Sequence, residues 1–271
     1  MNSIEIYNMK DIIDIHLNGQ LYLYMSNVIR KQDYDIYYSD VIDDEYWNFA
    51  YLKNREVSLD DIFDEIKSNM NKLNRNPILY ITSNIIDSKL QENIKNSKLK
   101  SLYTDVWMTL DNLEQFELYK SKIDFSVCKV DETLKEQFIQ AIMDGFSGDN
   151  PEDPYESLSD GYKIALEKSF NENNSEYKVI HYLGKKEKEA ISTATVVYKK
   201  DKAIIYNVTT NKKYQKNGVC RQMMSDIIKD LIKLNINEIC VQTEQGFYTE
   251  QVYINMGFIE RLLGKAYIEK E

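Results

Sequence analysis

Hydrophobic residues recur at helical spacing over Ser58 to Asn74, where Leu59, Ile62, Phe63, Ile66, Met70 and Leu73 share one face behind a serine N-cap and an acidic first turn. That pattern predicts an amphipathic helix. A strand follows at residues 77–82, a helix at 87–96 and an alternating strand at 102–110. Farther on, residues 177–183, 190–198 and 203–209 read as three strands whose short GKKEKE and KKD connections suit antiparallel hairpins. A second apolar stripe runs through Val219, Met223, Met224, Ile227, Ile228, Leu231 and Leu234. It leads into a strand at 238–243, a helix at 248–255 and a last pair of strands from Phe258.

The two runs of elements superpose at a constant offset of 161 residues. Ile66/Ile227, Lys72/Lys233, Leu73/Leu234, Asn74/Asn235, Asn76/Asn237, Ile78/Ile239 and Thr82/Thr243 are identical. A chain rich in Asn, Ile and Lys matches itself by composition, but here the helix-to-strand spacing is kept as well. The reading is a duplicated α/β (α+β) chain with domains at 1–118 and 119–271. Their boundary lies near residues 113–124, ahead of a strand at 125–130. With no Gly/Ser or Pro-rich linker between them, the two are expected to pack together.

Composition narrows the function. Among 271 residues, 34 Lys and Arg face 44 Asp and Glu, and the net charge of −10 disfavours a nucleic-acid partner. No apolar run approaches the ~20 residues needed to span a bilayer, and no signal peptide is read at the N-terminus, so no membrane is expected. Cys128, Cys220 and Cys240 match neither a disulfide framework nor a zinc site, which fits a reducing, cytoplasmic compartment. His16 and His181 are the only histidines and neither stands in metal spacing, so no metal is expected and both read as structural.

Chemistry concentrates in Val208 to Arg221, VTTNKKYQKNGVCR, which leaves a strand, crosses a polar loop and enters a helix near Val219. Free amides at a helix N-terminus, a glycine at Gly218 and the charge of Lys216 suit a phosphate; an ordinary turn at Gly218 is the other reading. A second element, Tyr253 to Phe258, places a tyrosine on a helix that Gly257 ends. Taken alone, Tyr253 reads as a half-buried core residue.

Gln215-Lys216-Asn217-Gly218-Val219-Cys220 followed by Tyr253-Ile254-Asn255-Met256-Gly257-Phe258 resembles the paired motifs of the GNAT superfamily of N-acetyltransferases, over roughly residues 125 to 271. The resemblance implies a mixed, mostly antiparallel sheet flanked by helices, and transfer of acetyl from acetyl-CoA to a primary amine by direct attack. It implies that main-chain groups of Val208 and Thr210 meet the pantetheine arm. Gln215 and the amides of Lys216, Asn217, Gly218, Val219 and Cys220 would cradle the diphosphate, and Tyr253 would protonate the leaving thiolate.

Some positions depart from the family pattern. Cys220 replaces Gly or Ala, Gly246 an Asn and Thr249 an Ala, while Tyr206 stands where many relatives keep a carboxylate. Glu244 or a water chain is left as base. In the first half, the equivalent loop Lys53 to Ser58 lacks the motif, so that half reads as degenerate. A non-catalytic acyl-CoA-binding sensor or interaction protein is the alternative function. The turn-rich loop from Phe146 to Tyr162 carries Asp149, Glu152, Asp153, Glu156 and Asp160 with Tyr155. It is read either as attracting a cationic small-molecule or peptide amine or as a plain solvated loop.

Overall fold

A computed structural model describes residues 9–110, 113, 116, 118–147, 157–171 and 174–270. The chain opens with helix α1 (Lys10–Asp14), which runs on as a π turn at Ile15–Gly19 and a 3₁₀ turn at Gln20–Tyr22. The first half continues with β1 (Asn27–Arg30), β2 (Tyr34–Tyr38), β3 (Phe49–Leu52), α2 (Leu59–Lys72), β4 (Leu79–Thr82), α3 (Ser88–Asn96) and β5 (Leu99–Leu110). The second half comprises β6 (Ser126–Lys129), α4 (Lys135–Gly145), α5 (Asp160–Ser169), β7 (Lys178–Lys186), β8 (Glu189–Lys199), β9 (Lys202–Thr210), α6 (Val219–Lys233), β10 (Glu238–Glu244), α7 (Tyr248–Ile254) and β11 (Ile259–Glu269). The pair of strands expected after Phe258 is one long strand, bent by irregularities in its pairing with β5 rather than broken by a turn.

The duplication is visible in the topology. Each half contains, in order, a three-stranded meander, a helix, a strand parallel to the third, a second helix and a last strand, the second half adding β6, α4 and α5 ahead of its meander; β3 with β4 and β9 with β10 are the parallel pairs. Among the described residues, all strands join one sheet in the order β1-β2-β3-β4-β11-β5-β10-β9-β8-β7-β6. The last strands have changed places. β11 pairs with β4 of the first half, β5 pairs with β10 of the second, and the two lie side by side at the centre.

The repeated Leu-Asn pairs have a local cause. Leu73 and Leu234 each end a helix, and the next residue, Asn74 or Asn235, turns into the left-handed region at φ 55° and 60°. Arg75 N–H then reaches Met70 O at 3.0 Å, and Ile236 N–H reaches Leu231 O at 3.1 Å. These are equivalent Schellman closures, and asparagine is among the few residues that tolerate the required φ.

Apolar residues cover both faces of the sheet. On one face α2 packs over the first half through Phe63, Ile66 and Met70, and α6 over the second through Met223, Met224, Ile227 and Ile228. The opposite face carries one continuous core, with Tyr37, Phe49, Tyr80 and Trp107 from the first half joined to Ile204, Tyr206 and Cys240 from the second. The N-terminal turns, α4 and α5 close over it. His16 lies in this core at 4.8 Å from Trp107, and burial pushes its pKa down to about 3, so it stays neutral. His181 bonds Ser169 and Thr195, both at 3.0 Å, and is likewise neutral.

Helix α5 reaches the first half through Gly161, where an added Cβ would stand 2.0 Å from the carbonyl oxygen of Val41. Backbone cannot yield as a side chain can. Gly161→Ala is therefore expected to cost about 1–3 kcal/mol through overpacking, read as a lower urea midpoint at unchanged slope.

Candidate active site

Strands β9 and β10 pair in parallel from Glu238↔Lys202 to Val241↔Ile205 and then separate. Beyond that point β10 stays bonded to β5 through Glu244↔Asp105, while β9 stays with β8 through Thr210↔Ser192. A fork opens between them. Its β9 side carries a bulge, a register shift between Thr193 and Thr195, where Asn207 takes φ 54°. The bulge lets neighbouring residues seek partners on the core face: the Tyr206 hydroxyl and His16 Nδ1 lie 3.0 Å apart, and Asn207 bonds Thr195 at 2.9 Å and Tyr24 at 2.8 Å.

At the end of β9, Thr210 Oγ1 is buried without a hydrogen-bond partner. Gln215 donates to Thr210 O at 3.3 Å and folds the loop back on the strand. The loop passes through left-handed Lys216 (φ 61°) and Gly218 (φ 79°), the latter serving as N-cap of α6. Among the described residues, no carbonyl or side-chain oxygen takes the amides of Asn217, Gly218, Val219, Cys220 or Arg221. Together with the positive end of the dipole of a fifteen-residue helix, they leave a cluster of N–H groups turned out of the loop. Gly218 has a second reason to be glycine, since an added Cβ would lie 2.5 Å from the Tyr119 ring. That ring also lies 4.7 Å beneath the Arg221 guanidinium.

Tyr253 of α7 is 7% exposed and meets Phe258 edge-on at 5.7 Å. Burial drives its pKa far above the usual phenol value, with Cys220 and Tyr248 adding to the rise. The predicted acid and the predicted cradle residue Cys220 are thus neighbours. Burial lifts the Cys220 thiol to about 11, which leaves it protonated at neutral pH. Thr249 bonds Thr243 at the end of β10, and Gly246 N–H donates to Glu250 at 2.6 Å.

Glu244 stands at the tip of β10, where the Tyr46 hydroxyl donates to it at 3.3 Å, and the Tyr46 ring in turn packs at a tilt against Tyr103, centroids 4.7 Å apart. Sequence reading missed its cross-strand partner Asp105, which is 5% exposed. The available signal was a carboxylate directly before the apolar run Val106, Trp107 and Met108, where the strand is buried through to its end. The Phe146–Tyr162 loop is described only at its ends; Asp149, Glu152, Asp153, Tyr155 and Glu156 lie outside the described residues. Tyr162 is buried, donates to Asp44 and accepts from Trp47 at 2.9 Å, so its hydroxyl faces the first half and not an open loop.

No protein-family model matches the sequence, and no curated protein is similar to it. Solved structures do resemble the chain. A GCN5-related N-acetyltransferase from Kribbella flavida aligns over 96% of this chain and 95% of its own at TM-score 0.68 and 9% identity. A tandem GNAT protein from the clavulanic acid biosynthesis pathway aligns over 87% and 78% at TM-score 0.60 and 7% identity.

The chain has a tandem GNAT fold.

A conserved protein of unknown function from Staphylococcus epidermidis shares this fold end to end, with 99% and 100% coverage, TM-score 0.64 and 13% identity. The two halves of the tandem differ where the fork should be. In the first half, β2 and β3 keep an unbroken register, and Tyr51 on β3 bonds Thr82 on β4 at 3.0 Å across the position equivalent to the opening. The amides of Lys53 and Asn54 are taken by Asp33 O, that of Glu56 by Asn54, and the Glu56 carboxylate lies within the loop. Among the described residues no helix is long and apolar enough to cross a membrane, and no group of side chains is placed to hold a metal.

Proposed function

We propose that the second half, residues 119–271, binds acetyl-CoA and transfers its acetyl group to a primary amine by direct attack, while the first half, 1–118, is a GNAT-like domain that has lost its cofactor site. One observation carries this reading: the fork between β9 and β10 leads directly to the unpaired amides of residues 217–221. Acetyl-CoA supplies the activated thioester. The main chain of Val208 and Thr210 lines the fork, and the orphaned Thr210 hydroxyl fits a polar arm laid along it. The loop amides with Gln215 fit the diphosphate. Tyr253 holds a proton for the departing thiolate, and Glu244 faces the other end of the fork as a base. Room for an acceptor exists in a cavity of about 380 Å³ between α4 and the ends of β8 and β9, bordered by Asp144, Glu189 and Thr209.

The rival reading, an acyl-CoA-binding sensor without turnover, draws support from the depth at which Tyr253 is buried, because a phenol so weakly acidic is a poor proton donor. Two measurements decide. Calorimetry with CoA is expected to show saturable binding, and thiol release from acetyl-CoA across a panel of polyamines, aminoglycosides and peptide amines is expected to show turnover with at least one. Binding without turnover would favour the sensor; no binding would remove both.

A further inference from the structure

Asp105 lies in the middle of the sheet, on the exchanged strand β5, directly across the register from Glu244. Residues paired in this way on antiparallel strands hold their Cβ atoms about 4.5–5.5 Å apart on the same face. The surroundings of Asp105 are built rather than incidental. Tyr80 from β4 donates to its Oδ2 at 2.8 Å, Gln242 from β10 donates to the same oxygen at 2.7 Å, and Trp107 Nε1 donates to the Tyr80 hydroxyl at 3.1 Å. Gly264 of β11 makes this possible, since a Cβ there would stand 1.8 Å from the Tyr80 hydroxyl. Four strands, two from each half, converge on one carboxyl.

We propose that Asp105 and Glu244, one carboxyl from each half, act as a pair that accepts the acceptor amine's proton during acetyl transfer. This rests on reading the fork as an acetyl-CoA site. Gln242, Thr243 and Glu244 are the β10 residues that continue past the last bond to β9, so Glu244 touches the acceptor and Asp105, one strand away, positions and shares the proton. The groups facing Asp105 are Tyr80 from β4, Gln242 and Glu244 from β10, and Tyr103 and Trp107 along β5; β11 presents only Gly264. Among the described residues no cation pairs with it.

Burial is the main cause that raises the Asp105 carboxyl to about 7, the hydrogen bonds from Tyr80 and Gln242 hold it back, and the facing Glu244 charge adds a smaller push upward. The proton balance closes. Two N–H bonds of the ammonium break as the C–N bond forms and the C–S bond breaks. One proton ends on the thiolate sulfur by way of Tyr253, and the other passes through the carboxyl pair to solvent. Below neutral pH Asp105 already carries a proton and cannot take one passed on from Glu244, which predicts an acid limb in kcat.

The test uses the full chain in a Trp47→Phe background, where Trp107 fluorescence reports on Asp105 through the Tyr80 hydroxyl. A titration midpoint near 7 is expected, absent in Asp105→Asn and moved to lower pH in Glu244→Gln, because removing the facing charge eases ionisation. In the thiol-release assay Asp105→Asn is expected to lose about 10²-fold in kcat and the acid limb with it, with CoA affinity unchanged by calorimetry. A midpoint indifferent to Glu244→Gln, or an Asn variant with the parental pH profile, overturns the pair while the acetyl-CoA reading stands. Absence of CoA binding in the parent overturns that reading and the pair's role together.

Discussion

Tyr253→Phe is expected to lower kcat for acetyl transfer by about 10²-fold or more while leaving CoA affinity unchanged. The change is confined to one oxygen. The ring keeps its edge-on contact with Phe258 at 5.7 Å and its place in the core beneath α6, so the fold has no reason to respond. Because burial raises the phenol's pKa far above 10, the proton is in place throughout the neutral range, and Tyr253 adds no alkaline limb there. Steady-state kinetics of thiol release, set beside a thermal melt, check this. A Phe variant that turns over at the parental rate makes Tyr253 a packing residue and takes the general acid out of the reaction.

Severing the chain after Leu118 is expected to leave neither piece folded alone, while the two pieces expressed together form a 1:1 complex. The cause lies in the exchanged strands. Residues 119–271 alone lose β5, which pairs with β10 from Ile239↔Leu110 to Glu244↔Asp105 and with β11 along nearly its whole length. Residues 1–118 alone lose β11, the strand between β4 and β5. Each fragment then exposes unpaired edges and the apolar faces of Val106, Trp107 and Met108 or of Ile239 and Val241, a surface prone to aggregate. Size-exclusion chromatography and far-UV circular dichroism of the separate and co-expressed pieces are the measurements. A monomeric, cooperatively folding 119–271 fragment would show that the second half closes its own sheet.

Much of this architecture was legible in residue order. The α2 and α6 stripes lie where the 3.6-residue period puts them, and the Leu73-Asn74 and Leu234-Asn235 identities mark two equal helix stops. The meander strands and the turn into α6 followed from alternation and from Gly218. What failed was local: β11 read as two strands because its bulges resemble a break in alternation. Asp105 drew no attention because nothing within the strand announces that Tyr80, Gln242 and Glu244 will meet it.

By itself, the sequence determined most of the elements, their duplication and the glycine turn that enters α6, because periodicity, capping and glycine conformations are set by neighbours within a few residues. Only the tertiary structure decided that the last strands trade places, that β9 and β10 part after Val241↔Ile205, and that two carboxyls from different halves face one another. Those outcomes depend on which edges pair across more than a hundred residues of chain. Strand pairing is chosen by the whole packed sheet and leaves little trace in any one segment.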